Sequence, residues 1–170
     1  RVITVNGVSK GFAMTGWRLG YIGAPKWIAD ACTKIQGQFT SAPCSIAQAA
    51  AATAVEADPS IANSMVAAFL RRRDAMHSSL SKIPGINLNL PMGAFYLFPD
   101  VSELFGKNFK GKSLENSDDV AMFLIEEAHV ATVSGAAFGT PECIRISYAA
   151  ADEVLEEAVR RIEVAVNKLV

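Results

Sequence analysis

Residues 9–21, SKGFAMTGWRLGY, place a lysine and an arginine eight positions apart among Phe12, Met14, Trp17, Leu19 and Tyr21. An unpaired charge is costly to bury. A fold that turns this stretch inward must therefore supply something that satisfies both cations. The flanks narrow the choice. RVITV (1–5) is rich in β-branched residues and reads as a strand, and WRLGYIG (17–23) reads as a second. The connection NGVSKGFAMTG is built on Gly7, Ser9, Gly11, Ala13 and Gly16, small residues that let the backbone approach a ligand closely. If the two strands lie side by side, Lys10 and Arg18 point into one cavity, with Arg18 alternating along its strand with Trp17 and Leu19.

The remaining pattern predicts an α/β chain. After Pro25, Ile28, Cys32, Ile35 and Phe39 recur at helical spacing, TSAPCS breaks the run, and alanine-rich residues 46–57 form a second, short buried helix. Asp58-Pro59 combines a capping side chain with a proline at the first helical position. The helix it opens runs to about Ser81, carries Ile61, Met65, Phe69, Met76 and Leu80 on one face, and ends at Pro84-Gly85. Beyond it, INLNL and PMGAFYLFPD read as strands, and residues 102–117 as a polar loop. A helix capped by Asp118 or Asp119 follows through His129, then strands VATVSG and CIRISYA around the loop AAFGTPE. The last helix, 152–169, has Leu155, Val159, Ile162, Val166 and Leu169 on one face, acidic residues in its first turn and Lys168 in its last. Strand–strand–helix–strand–strand–helix is an α/β sandwich with helices on one face. The expected division is 1–58, a bridging helix 59–82, and a smaller domain 83–170.

Several function classes fall away. With 16 basic and 17 acidic residues there is no positive field to draw in nucleic acid. Arg71-Arg72-Arg73, followed by Asp74, reads as a solvated helix face. Cys32, Cys44 and Cys143 are an odd set without metal-ligand spacing, which fits free thiols in a reducing, cytoplasmic setting. His77 and His129 are too far apart in sequence for a zinc site or a histidine-based triad. No apolar run reaches the roughly 18 to 20 residues of a membrane span, and no signal peptide is visible. The chain opens on a strand and without methionine, which implies further residues before Arg1.

Three residues carry the candidate chemistry. Desolvation beside an apolar wall favours a neutral amine, the form that attacks a carbonyl compound. Lys10 fits that role, against the ordinary reading of an exposed lysine. Arg18 fits a phosphate, against pairing with a carboxylate of its own protein. In CIRISYA, Ile144, Ile146 and Tyr148 take one face and Cys143, Arg145 and Ser147 the other. Arg145 can there bind a carboxylate through two parallel hydrogen bonds or sit on a solvated face.

The run SKGFAMTGWRLGY resembles the cofactor-lysine segment of pyridoxal-phosphate aminotransferases of the aspartate aminotransferase superfamily, whose motif is S-K-x-F-x-M-T-G-W-R-x-G. GAFYLFPD (93–100), SGAAFG (134–139) and CIRISYA support the resemblance, which is nearest to the bacterial-type aspartate or aspartate/prephenate enzymes. It spans nearly the whole chain but only the C-terminal part of the family's length. The resemblance implies the end of a large cofactor-binding domain, a long bridging helix and a small α/β sandwich domain. It implies pyridoxal 5′-phosphate as cofactor, with Lys10 bonding its aldehyde and then moving the substrate proton. Arg18, and secondarily Ser9, would hold the cofactor phosphate. Arg145 would bind the substrate α-carboxylate, with Phe138 near the substrate pocket. Residues 38–45 would approach the active site of a homodimeric partner. The activity implied is transamination of aspartate with 2-oxoglutarate, giving oxaloacetate and glutamate. Prephenate or an aromatic or neutral amino acid is the alternative substrate, and a stand-alone structural or dimer-forming domain the alternative of another class. The family's partners for the pyridine nitrogen, ring face and 3-oxygen lie upstream of the lysine and have no counterpart here. This stretch by itself is therefore expected to be inactive.

Overall fold

In the computed structural model, which describes residues 2–170, the first strand pair forms but is short. β1 (Thr4–Gly7) and β2 (Gly20–Gly23) are antiparallel, in register from Thr4↔Gly23 to Gly7↔Gly20. A Cβ on Gly7 would stand 3.2 Å from the Leu19 carbonyl oxygen, so the last pair of the ribbon closes tightly because it is made of glycines. Residues 17–19 are not strand. Thr15–Trp17 is a 3₁₀ turn, with the Trp17 N–H donating to the Met14 carbonyl at 3.2 Å. Arg18 follows in the left-handed conformation, φ 53°. The alternation of Trp17, Arg18 and Leu19 across a strand therefore does not occur, because pairing with β1 begins only at Gly20.

The chain divides into two compact units, Arg1–Ser64 and Met65–Val170. In the first, α1 (Lys26–Phe39) starts directly after Pro25, whose carbonyl accepts from the N–H groups of Ile28 and Ala29. α2 (Ser45–Glu56) departs from the buried helix its composition suggests. Ala47 and Ala51 are buried, four residues apart on one face, while Ile46 and Val55 are exposed. A run this rich in alanine carries little amphipathic contrast, so partners on one side, and not periodicity, decide which residues are covered. The Asp58 carboxylate accepts from the Ser60 N–H at 2.8 Å and caps a 3₁₀ turn, Pro59–Ala62. α3 follows as Asn63–Leu80. Ile61 therefore precedes that helix and is exposed, while Met76 and Leu80 are buried.

The second unit is built on a three-stranded antiparallel sheet, ordered β3 (Tyr96–Leu97), β7 (Ile144–Ser147), β6 (Val133–Ser134). INLNL contributes only a bridge from Asn87 to Asp100, since Pro91 has no N–H with which to continue a ladder. The polar stretch after Asp100 contains a hairpin, β4 (Asn108–Phe109) with β5 (Lys112–Ser113), turned by Lys110 and Gly111 at positive φ. Asn116, not Asp118 or Asp119, caps α4 (Ser117–Phe123), because its side-chain oxygen accepts from both of those N–H groups, at 2.9 and 3.0 Å. A π-helical turn, Leu124–Ala128, then ends at His129 in the left-handed region. α5 (Asp152–Val166) buries Leu155, Val159, Ile162 and Val166 as its spacing predicts, and Lys168 lies beyond its end. Leu97, Ile144, Ile146 and Tyr148 meet these residues and Met76, Leu80, Val120 and Leu124 in one apolar cluster. Each such fully buried side chain contributes roughly 1.5–3 kcal/mol.

The arginine run on α3 is more than a solvated face. Arg72 and Arg73 are half-buried, and Arg73 reaches the Pro91 carbonyl at 3.1 Å. Arg72 and Arg71 clamp Asp152 at the start of α5, at 2.6 and 2.7 Å. Hydrogen bonds from Arg72 and then Arg71 hold the Asp152 carboxyl below its ordinary value. A carboxylate depressed on folding contributes stability above its unfolded value, about 3.9, and loses it as pH falls through the folded value. Thermal midpoints measured from pH 6 down to pH 2 are therefore expected to fall less steeply below about pH 4 in Asp152→Asn than in the unmodified chain. Parallel curves would show that the clamp adds nothing.

Candidate active site

The loop between β1 and β2 begins where Val8, fully buried, anchors the end of the strand. The chain then tightens through two turns, with Phe12 N–H donating to the Val8 carbonyl at 3.3 Å and Ala13 N–H to the Lys10 carbonyl at 3.2 Å. Lys10 is exposed and Ser9 half-buried. Ala13 and Arg18 both adopt φ 53°, a conformation that costs a residue with a Cβ of order 1 kcal/mol or more. Two such residues bracket the Thr15–Trp17 turn, and strain of this kind persists where a loop is held in a set shape. Because Gly7 pairs with Gly20, Lys10 and Arg18 stand on one connection at one end of the ribbon. The Arg18 guanidinium donates to the Thr15 carbonyl at 2.9 Å. Among the described residues no carboxylate pairs with it. Cβ atoms added at Gly11 or Gly16 would meet nothing within 4 Å, so this face of the loop is open.

Residues 38–45 run from the last turn of α1 through the connection 40–44 to the first residue of α2, and are exposed. The backbone N–H groups of Ala47 and Ile46, at the start of α2, lower the Cys44 thiol from its ordinary value.

The second unit assembles the other candidates. Arg145 lies on β7, the central strand, opposite Val133 of β6, while Tyr96 of β3 stands opposite Ser147. The guanidinium carbon of Arg145 is 4.5 Å from the centre of the Tyr96 ring and 4.6 Å from that of Phe138. Arg145 is thus half-buried between rings, neither freely solvated nor joined to a carboxylate among the described residues. Phe138 ends a 3₁₀ turn, Gly135–Phe138, whose start is capped by the Ser134 hydroxyl. That hydroxyl also contacts the buried Ser117 hydroxyl at 2.9 Å. Phe98 meets Phe138 edge to face, with centroids 6.0 Å apart. The structure therefore brings Lys10, Ser9 and Arg18 onto one loop, and Arg145 and Phe138 into contact. Tyr96 was not among the residues singled out from the sequence. Its signal was present in AFYLFPD, where Leu97 and Pro99 are buried while Tyr96 and Phe98 point to the opposite face.

Among the described residues no group of His, Cys, Asp and Glu side chains could hold a metal ion, and no helix is long and apolar enough to cross a membrane.

The fold is mixed α/β, with a lysine and an arginine on one loop at a strand end. Residues 1–162 match the family described as aminotransferase class I and II, and the chain belongs to that family, whose members are pyridoxal-phosphate-dependent transferases. It is 48% identical over 169 residues to a bifunctional aspartate aminotransferase and glutamate/aspartate-prephenate aminotransferase of Petunia hybrida, covering 97% of this chain and 35% of that protein. It is 47% identical over 164 residues to an aspartate/prephenate aminotransferase of Cereibacter sphaeroides, covering 96% and 41%. The crystal structure of the aspartate aminotransferase from Rhizobium meliloti superposes with a TM-score of 0.95 at 42% identity, over 100% of this chain and 43% of that one. The chain thus spans well under half the length of these relatives.

Proposed function

We propose that this chain is the lysine-bearing part of a pyridoxal-phosphate-dependent aminotransferase, and that the complete protein transfers the amino group of aspartate to 2-oxoglutarate. The observation that carries the reading is the pairing of Lys10 and Arg18 on one strained, open loop in a chain of this family. The donor set fits the cofactor: a primary amine for its aldehyde, a guanidinium and the Ser9 hydroxyl for its phosphate. Bound pyridoxal phosphate supplies an electron sink for the carbanion formed at the substrate Cα. Lys10 would hold the cofactor through its amine and would move the substrate Cα proton as general base. Arg18 would neutralise phosphate charge through its planar fork of donors. Arg145 grips the substrate α-carboxylate through two parallel N–H donors, and Phe138 forms an apolar wall beside it.

Prephenate as amino acceptor is the second reading. The names of the Petunia and Cereibacter relatives support it, as does the Phe98–Phe138 wall beside Arg145. A homodimer, in the cytoplasm, completes the proposal. Trp27, Phe39 and Ile46 of the first unit are exposed in this chain, an apolar surface of the kind that the rest of the complete protein or a second copy covers.

The complete protein, loaded with cofactor, tests the reading when amino donors and acceptors are compared side by side. Aspartate with 2-oxoglutarate is expected to give the highest kcat/KM. A higher value with prephenate would favour the second reading, and no turnover with any pair would overturn both. The 170-residue stretch alone is expected to show no turnover, because the residues that the resemblance assigns to the cofactor ring lie outside it. Turnover near that of the complete protein would refute that expectation.

A further inference from the structure

We propose that Tyr96 is a positioning residue for Arg145: with Phe138 it holds the guanidinium between two rings and turns the N–H edge toward a carboxylate. The inference deepens, and rests on, the reading of Arg145 as the α-carboxylate binder. The sheet explains the arrangement. Arg145 is on the central strand, and one ring comes from each side: Tyr96 from β3, and Phe138 from the turn that follows β6. A guanidinium is planar, and its five donors lie in its plane. Rings against its faces leave those donors untouched while restricting the rotamers of a long side chain. Among the described residues no carboxylate or carbonyl accepts from Arg145, and the contacts its guanidinium makes with them are the two rings. The arginine is thereby oriented before a carboxylate arrives, and orientation that is already in place does not have to be supplied at binding. The Tyr96 hydroxyl has no part in this, so phenylalanine should serve as well.

The test uses the complete, cofactor-loaded protein for kinetics and the 170-residue chain for the NMR signal of the Arg145 Nε–H group. Rings stacked on a guanidinium shift that signal upfield. Tyr96→Phe is expected to keep both the shift and the KM values. Tyr96→Leu is expected to move the signal downfield and raise KM for amino acid and oxo acid together by roughly tenfold, with kcat changed far less. Phe138→Leu, at an exposed position that tolerates substitution, is expected to do the same, and it decides the matter should Tyr96→Leu fail to fold. An unchanged KM in either folded leucine variant, or a Tyr96→Phe variant as impaired as Tyr96→Leu, overturns the positioning role. Arg145→Lys separates the two layers. If it leaves KM unchanged, the carboxylate reading itself fails. If it raises KM while the leucine variants do not, only the ring clamp fails.

Discussion

Lys10→Ala in the complete protein is expected to remove transamination, lowering the rate of the first half-reaction by at least about 10⁴-fold. The size follows from two duties resting on one amine. Proton transfer by a positioned side chain alone accounts for roughly 10² to 10⁴, and loss of the covalent hold on the cofactor adds to it. No other group on the loop can stand in. The Arg18 guanidinium donates to the Thr15 carbonyl, and the Ser9 hydroxyl is not basic. Lys10→Arg separates charge from chemistry, since it keeps the cation and loses the nucleophile. It is expected to be as inactive as alanine. Rapid mixing with aspartate gives the rates. Borohydride reduction followed by peptide mapping is expected to leave a pyridoxyl group on Lys10 in the unmodified protein and none in either variant. A pyridoxyl group on another lysine, or a variant within tenfold of the original rate, would mean that the loop has been misread.

What could be read from the residues and what could not divide along physical lines. Periodicity served where one face is apolar and the other is not. Leu155, Val159, Ile162 and Val166 are buried on α5 as their spacing requires, and Ile144, Ile146 and Tyr148 take the inner face of β7. It failed where burial depends on partners distant in sequence. Nothing within INLNL tells that only Asn87 finds a ladder partner, and nothing in IAQAAAATAV tells which alanines are covered. Backbone geometry was the second gap. WRLGYIG alternates well enough to be a strand, but the Thr15–Trp17 turn spends its first residues and leaves Arg18 left-handed. The candidate site residues were reached through a motif, not through periodicity, and the motif assigns single roles. It could not supply Tyr96, whose place beside Arg145 follows from the strand order β3–β7–β6. Nor does a residue count reveal that Arg72 and Arg71 reach 80 and 81 positions along the chain to Asp152.

Gly135→Ala is expected to give the largest loss of stability of any one-carbon change in the second unit. The glycine opens the turn that ends at Phe138, and its N–H donates to the Cys143 carbonyl at 2.7 Å while its own carbonyl accepts from Thr140 at 3.0 Å. That close approach leaves no room. An added Cβ would stand 2.2 Å from the Thr140 carbonyl oxygen and 2.4 Å from that of Cys143. Both are backbone atoms of the segment leading into β7, so no side chain can swing aside. Relief requires Gly135 to separate from both Thr140 and Cys143, with the loss of one or both hydrogen bonds. A clash of this kind costs roughly 3 kcal/mol, which in a chain of this size lowers Tm by about 10 °C. The displacement also carries Phe138 away from Arg145, so the surviving folded fraction should bind carboxylate more weakly. Gly93→Ala is the matched control. Its Cβ would meet nothing within 4 Å, and the change is expected to stay within about 0.5 kcal/mol. Calorimetry of the two variants beside the parent decides the question, because a Gly135→Ala midpoint equal to that of Gly93→Ala would show that the turn can open without cost and that it does not fix the position of Phe138.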